Sequence, residues 1–263
     1  MTDVGGSGWD GAAYDRVNGL QRWVADRTLA TLVVDGDERA LDVGCGDGRV
    51  TAELARLLPR GSVLGIDPSP GMLEIARGRL GPTVPNLAFA EGTAETLDRR
   101  DAFDLVVSFN ALHWVADHGV ALGRMAHALV PGGRAVLQLV CEGDRPSVED
   151  VASEVAARTA YSSFVGTGIA PYHHPVEAVF LDQVRAAGLE VVHSRVDDLS
   201  WDFGSPQVLR EWLRVGFSAW LLRLPDTGVR EAFVDDVATS YADVLGATTV
   251  VRFLQLCVEL RRP

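Results

Sequence analysis

A short glycine-rich segment constrains the fold of this chain more than any other feature. Residues 41–48 read Leu-Asp-Val-Gly-Cys-Gly-Asp-Gly, so glycines at 44, 46 and 48 lie between an apolar stretch and a helical pattern. Glycine tolerates left-handed backbone conformations and lets a ligand approach the main chain closely. The segment is therefore typical of a strand-to-helix turn that binds a ligand, although a tight turn without a ligand would also use glycine there.

Short apolar stretches alternate with helical patterns through residue 140, and this alternation favours parallel strands joined by right-handed crossovers. The prediction is an α/β fold with a doubly wound, mostly parallel sheet of seven strands. The predicted strands are residues 40–43, 63–66, 87–90, 105–108, 134–140, 189–199 and 249–260. The predicted helices are residues 12–33, 47–58, 70–80, 118–129, 147–164, 176–187, 206–224 and 229–245. Asp47 is the expected N-cap of the second helix, and residues 131–133 are expected to form a turn.

An acidic residue lies about 20 residues after the glycine segment, as ribose recognition in such folds requires. Asp67 directly follows the second predicted strand, where a carboxylate can accept both ribose hydroxyls. The segment departs from the dinucleotide pattern, because its third glycine comes one residue early and Arg49 takes the later position. Asp42 and Asp47 repel a pyrophosphate but suit a ligand with an ammonium and a sulfonium. S-adenosylmethionine is therefore favoured over a nicotinamide dinucleotide.

Four segments in order resemble the motif series of the class I S-adenosylmethionine-dependent methyltransferases: LDVGCGDG, GIDPSPGML, FDLVVSFNALHWV and LVPGGRAVL. The opening Trp9-Asp10 and Tyr14, with Glu211-Trp212 and Leu224-Pro225, are similar to the trans-aconitate methyltransferase-like group. The resemblance implies a Rossmann-like methyltransferase sheet with an N-terminal helix and helical cap insertions. Residues 1–263 would form one domain, with a lid helix in 1–35, a cofactor-binding core in 36–142, and the rest of the sheet with a helical substrate cap in 143–263.

The resemblance also implies which residues contact S-adenosylmethionine. Asp42 and the glycine backbone would hold the methionine end, Asp67 the ribose, and Asn110 would lie near the methyl group. Thr93 stands where the family usually has an aspartate that accepts from the adenine amine, and a threonine hydroxyl can accept the same hydrogen bond. The expected cofactor residues are Tyr14, Asp42, Gly44, Gly46, Gly48, Asp67, Pro68, Ser69, Met72, Thr93, Ala94 and Asn110.

The methyl acceptor is expected beyond the carboxyl ends of the strands, where ligands of doubly wound sheets bind. His113 would act there as a general base or would orient the acceptor without exchanging protons. Aromatic residues replace the Gly-Thr and arginine of the resembled group, which favours a larger, more apolar acceptor. Trp212, Phe217 and Trp220 at helical spacing are equally compatible with a plain core. The expected pocket residues are Trp9, Trp114, Tyr172, His173, Trp212 and Phe217.

Composition narrows the partners and the location. A formal charge of −12 disfavours a nucleic-acid partner, which would meet a basic face. No apolar run is long enough for a membrane span, and no basic region precedes an apolar run at the N-terminus, so a cytoplasmic protein is expected. Cys45, Cys141 and Cys257 lack the spacing of metal ligands, so no metal is expected and the thiols are predicted to be reduced.

All 24 basic side chains are arginine, which excludes chemistry that needs a lysine ammonium group. A cationic contact with an acidic acceptor would therefore have to come from arginine. The arginines expected on the N-terminal helix and the cap are Arg16, Arg22, Arg210, Arg214 and Arg223.

These observations predict transfer of a methyl group from S-adenosylmethionine to an oxygen of a small molecule, such as a carboxylate, phenol or enol. Methylation of a carbon or nitrogen, a non-catalytic cofactor-binding protein and a nicotinamide dehydrogenase remain alternatives. The oligomeric state is not predicted.

Overall fold

The computed structural model of the chain describes residues 19–80, 84–166 and 171–263. Across these residues, seven strands form one sheet in the order β3-β2-β1-β4-β5-β7-β6. The strands are β1 Arg39–Val43, β2 Ser62–Asp67, β3 Leu87–Glu91, β4 Phe103–Phe109, β5 Leu129–Cys141, β6 Glu190–Asp202 and β7 Val250–Arg261.

Ten α-helices are found in the described residues, together with one 3₁₀ turn at Leu112–Trp114. The helices are α1 Gly19–Leu29, α2 Arg49–Leu57, α3 Pro70–Leu80, α4 His118–Ala128, α5 Val148–Ala156, α6 Thr159–Val165, α7 Glu177–Ala186, α8 Pro206–Gly216, α9 Ser218–Leu221 and α10 Thr227–Leu245. Among the residues that the structure describes, no helix is both long and apolar enough to cross a bilayer.

Strands β1 to β5 run parallel, whereas β7 runs antiparallel to both of its neighbours. The order of the strands reverses between β1 and β4, and the crevice outside their carboxyl ends is the place where such sheets bind ligands. Helices cover both faces of the sheet, so central strands are apolar on both sides, as Leu41, Leu105 and Val106 illustrate with 0% exposure each. The predicted doubly wound, mostly parallel fold is confirmed.

One apolar cluster, the cap cluster, builds the cap over one face of the sheet. It joins α1, α5, α6, α8 and α10 to the inward side chains of β7 at Val251 and Phe253. Phe233 and Tyr241 of α10 lie at its centre and are fully buried. The cap therefore shares its core with strand β7. The division into lid, core and cap remains a prediction.

Four local predictions are wrong. The helix predicted over 147–164 is two helices, because Arg158 is extended and turns α6 so that the Tyr161 hydroxyl donates to Asp236 at 2.8 Å. The helix over 206–224 is interrupted at Phe217, whose ring is buried against Trp220. Left-handed Gly48, not Asp47, caps α2. Residues 131–133 lie within β5, where its register with β4 shifts.

Candidate functional site

The glycine segment forms a tight loop between β1 and α2. All three glycines adopt left-handed backbone, with φ of 77° at Gly44, 54° at Gly46 and 76° at Gly48. A Cβ on Gly44 would lie 2.1 Å from the Cβ of Ala111, and one on Gly48 would lie 2.5 Å from a ring carbon of Phe89. Both the conformation and the space therefore require glycine at positions 44 and 48, while Gly44 and Gly46 are only partly buried.

Asp67 holds the loop from the end of β2. Its carboxylate accepts the backbone N–H groups of Gly46 and Ser69, each at 2.9 Å. Burial raises the pKa of Asp67, and the two N–H donors oppose that rise. Each carboxylate oxygen keeps acceptor capacity for a further donor. The predicted contact with a ribose remains a prediction, in which Asp67 would serve the loop and the ligand together.

Asp42 lies beneath the loop and is only 2% exposed. Its carboxylate accepts the hydroxyl of Thr51 at 2.7 Å. Burial raises the pKa of Asp42 to about 7, although the Thr51 bond opposes the rise, and the nearby charge of Asp67 adds to it. Burial thus reduces the negative charge of Asp42 near neutral pH. The predicted contact of Asp42 with the methionine end of the ligand remains a prediction.

The other predicted cofactor residues lie along the same edge of the sheet. Met72 is buried, with its terminal methyl 3.4 Å from where a Cβ on Gly46 would lie, and Ser69 caps α3 beside exposed Pro68. Ala94 is buried after β3, whereas the Thr93 hydroxyl already pairs with Thr96 at 3.0 Å. The Thr93 contact with adenine is therefore the weakest member of the predicted set. Tyr14 lies outside the described residues.

Asn110 links the loop edge to an internal cavity. It follows β4 in left-handed backbone, with φ of 57°, and its N–H donates to the carbonyl of Gln138 at 2.7 Å. Its side-chain Oδ1 is buried and has no hydrogen-bond partner among the described residues. An unpaired acceptor beside a glycine loop fits a ligand that carries a hydrogen-bond donor. The ammonium group of S-adenosylmethionine is such a donor.

The described residues line a cavity of about 120 Å³ between α1, the face of β5 and β7, and the cap. Four of the predicted pocket residues line it, namely Trp114, Tyr172, Trp212 and Phe217. Tyr172 packs on Trp114 with ring centroids 4.6 Å apart, and its hydroxyl donates to the carbonyl of Gly216 at 2.6 Å. These side chains serve both as core and as cavity wall, whereas Trp220 is buried in the core behind them. Trp9 lies outside the described residues.

His113 enters the cavity from the 3₁₀ turn. Burial, and after it the neighbours His174 and His118, lowers the pKa of His113 to about 3. The imidazole is therefore neutral near neutral pH, and its buried Nδ1 has no hydrogen-bond partner in the described parts of the chain. A neutral imidazole with so low a pKa is a poor general base. The lowered pKa favours the orienting role among the two that the sequence left open, and this role remains a prediction.

The prediction that His173 lines the acceptor pocket remains a prediction. His173 lines a second cleft of about 440 Å³, which shares Tyr172 and Glu149 with the cavity. Its N–H donates to the carbonyl of His113 at 2.7 Å. The neighbouring rings of Tyr172 and His174 lie with their centroids 6.5 and 5.9 Å from the ring of His113.

Three of the arginines expected to contact an acceptor have partners within the protein. Arg210 and Arg214 pair with Asp235 and Glu231 on α10. Arg223 donates to the carbonyl of Val165 at 3.1 Å. No arginine is among the described residues that line the cavity, and Arg16 lies outside the described ranges.

Sequence reasoning missed several polar residues of the cavity. Gln21 of α1, Glu149 of α5 and Gln255 of β7 all line it. Burial raises the pKa of Glu149, although the neighbouring His174 opposes that rise. Gln255 was detectable as the polar break in the inward alternation of β7. Glu149 gave no such signal, because an acidic residue in the first turn of a helix is ordinary.

Comparison with known proteins matches residues 40–133 to the family described as Methyltransferase domain. A trans-aconitate 2-methyltransferase of Methylobacterium radiotolerans is 38% identical over 50% of this chain and 49% of its own length. A trans-aconitate 2-methyltransferase of Methylobacterium nodulans is 34% identical over 62% of this chain and 64% of its own length. This chain thus spans about half of the first relative and less than two thirds of the second.

Solved structures agree on the fold. A Bacillus halodurans protein assigned to the methyltransferases has a TM-score of 0.65 at 17% identity, over 91% of this chain and 98% of its own. Phosphoethanolamine N-methyltransferase 2 of Haemonchus contortus, solved with S-adenosylhomocysteine, has a TM-score of 0.62 at 16% identity, over 96% of this chain and 57% of its own. Residues 40–133 thus match a methyltransferase domain, and the solved structures share the fold over most of the chain.

Proposed function

We propose that the chain binds S-adenosylmethionine along the carboxyl edge of β1 to β4 and methylates an oxygen of a small molecule held in the cavity. The observation that supports this best is the position of Asn110. It follows β4 next to the glycine loop, and its side chain lines the cavity that His113 enters. One residue thus borders both the expected cofactor site and the expected acceptor site.

The residues present fit this cofactor. Gly44, Gly46 and Gly48 form a tight left-handed turn, Asp67 at its edge can accept from ribose hydroxyls, and Asn110 presents an orphaned acceptor. When bound, S-adenosylmethionine supplies an activated methyl group. The protein's contribution is to orient the acceptor and to exclude water, which is the main source of rate in a displacement between two held groups.

The cavity favours a neutral acceptor over an acid. Its described lining holds four aromatic walls, a neutral His113 and the carboxyl of Glu149, with no arginine. A tricarboxylate would bury charge without a cationic partner, which is costly. A phenol or an enol fits this lining better, even though the curated relatives carry the name of a carboxylate-methylating enzyme. Methylation at carbon or nitrogen and a non-catalytic cofactor-binding role remain the alternatives.

The partners and location follow from charge and thiols. A formal charge of −12 supports a small-molecule partner rather than nucleic acid. All three cysteines are buried and free of disulfides in the structure, as in a reducing compartment. We therefore propose a cytoplasmic location.

The test is incubation of the full chain with methyl-labelled S-adenosylmethionine and two acceptor pools, one of phenols and enols and one of carboxylic acids that includes trans-aconitate. We expect label in the first pool and little on trans-aconitate. Calorimetry with S-adenosylhomocysteine is run in parallel. Binding without transfer to either pool would favour the non-catalytic alternative, and absence of binding would overturn the proposal.

A further inference from the structure

Gln255 is a fully buried amide with no hydrogen-bond partner for its side chain. It lies on β7, an interior strand whose backbone pairs with β5 at Val140 and with β6 at Asp197. Its exposure is 0%, and neither Nε2 nor Oε1 has a partner among the described residues. Buried amides are almost always hydrogen-bonded in proteins, so an amide with both groups unpaired indicates a ligand that pairs with them.

The side chain of Gln255 faces the acceptor cavity. Val251, Phe253 and Gln255 alternate on one face of β7 and all line the cavity. The first two are apolar and at most 7% exposed, so Gln255 is the polar member of an otherwise apolar wall. Its backbone lies in the middle of the sheet, and this fixes the position from which the amide reaches the cavity.

A primary amide presents a carbonyl acceptor and an N–H donor side by side. The group that satisfies both carries a donor and an acceptor on one edge. An uncharged carboxamide, or an enol beside a carbonyl, has such an edge. A carboxylate does not, because it offers acceptors only, and it would also approach Glu149 without an arginine in the described lining.

We propose that Gln255 is a specificity-determining residue, which hydrogen-bonds an uncharged acceptor molecule through a paired donor and acceptor edge. The inference rests on the proposed function, because it takes the cavity as the acceptor site. It goes further by stating the chemical class of the acceptor and the residue that selects it. Gln255 binds the substrate and takes no part in the chemistry of transfer.

Three probes of nearly the same shape test this selectivity. Benzamide carries the paired edge, acetophenone replaces its amine by a methyl, and benzoate replaces the amide by a carboxylate. Ligand-observed NMR titrations of the full chain, with and without S-adenosylhomocysteine, give the three dissociation constants. We expect benzamide to bind about tenfold more tightly than either of the other two, since one lost hydrogen bond has that effect on affinity.

Gln255→Met removes the amide with little change of volume and should abolish the preference for benzamide. Phe253→Leu, on the same wall, is the matched control. It should weaken the binding of benzamide and of acetophenone to the same extent, so that the preference for benzamide persists. If the wild-type chain binds benzamide no more tightly than acetophenone, or if Gln255→Met keeps the preference, the proposal is overturned. If the chain binds S-adenosylhomocysteine but shows no preference for benzamide, only this inference is overturned. If the chain does not bind S-adenosylhomocysteine, the proposed function is overturned.

Discussion

Burial governs the pKa of single side chains in this site, and Asp42 shows the consequence for stability. Its pKa is raised by burial to about 7, whereas an aspartate in the unfolded chain has a pKa of about 3.9. The folded state therefore binds the extra proton between these values, and stability falls as pH rises through that window. The Asp42 contribution is fully present below about pH 4 and is lost above about pH 7.

Asp42→Asn should remove this pH dependence and keep an acceptor for the Thr51 hydroxyl. The free energy of unfolding of the wild-type chain minus that of the variant should fall by up to about 4 kcal/mol between pH 4 and pH 7, and stay level above that. Urea titrations at intervals of half a pH unit measure it, and other titrating groups cancel in the difference. A difference that rises with pH would mean that Asp42 is ionised and stabilised in the folded chain.

His113 yields a prediction about catalysis at the same scale. With its pKa lowered to about 3, it stays neutral from pH 5 to 8 and cannot cause an inflection near its ordinary pKa of about 6.5. His113→Gln keeps a hydrogen-bonding group at the site and should lower kcat by about tenfold or less, with an unchanged pH profile. A wild-type limb near pH 6.5 that disappears in His113→Gln would instead establish the histidine as a base.

Elements differ in how far the sequence predicts them. The glycine loop and the parallel strands follow from local patterns, because glycine positions and apolar runs specify a strand, a turn and a helix over a few residues. The break between α5 and α6 does not, since the helical pattern continues across it and only the contact of Tyr161 with α10 turns the chain. For the same reason, the sequence predicted only part of the cavity lining. Aromatic residues stood out by type, whereas Gln21 and Glu149 are brought in by packing alone.

The turn from β1 into α2 gives a prediction that compares two glycines. Gly48→Ala places a Cβ 2.5 Å from Phe89 at a φ of 76°, so it should cost about 1–3 kcal/mol of stability and abolish binding of S-adenosylhomocysteine. Gly78→Ala, in α3 with nothing within 4 Å of the new Cβ, should stabilise the chain by about 0.5–1 kcal/mol and leave binding intact. Urea unfolding and calorimetry of the pair measure both effects. Equal effects of the two substitutions would contradict the assigned role of the loop.

At the scale of the whole molecule, the described residues form three apolar clusters, and the cavity lies against the cluster that builds the cap. The cap cluster packs on β7, and the cavity lies between that cluster and the carboxyl ends of β4 and β5. The predicted cofactor residues include side chains at the ends of β1, β2 and β4, so a ligand bound there would contact elements that are distant in sequence. Such a ligand binds the folded chain and not the unfolded one, and so it stabilises the entire domain.

S-adenosylhomocysteine at about 100 times its dissociation constant should therefore raise the free energy of unfolding by about 2.7 kcal/mol. NADH at the same concentration should leave it unchanged, because the third glycine of this loop stands one residue early for a pyrophosphate. Chemical unfolding of the full chain with each ligand measures the two values, and Gly48→Ala provides the control in which the first ligand no longer stabilises. If only NADH stabilised the chain, the dinucleotide-binding alternative would be favoured. The same edge of β1 and β4 would then bind a pyrophosphate despite the acidic residues around it.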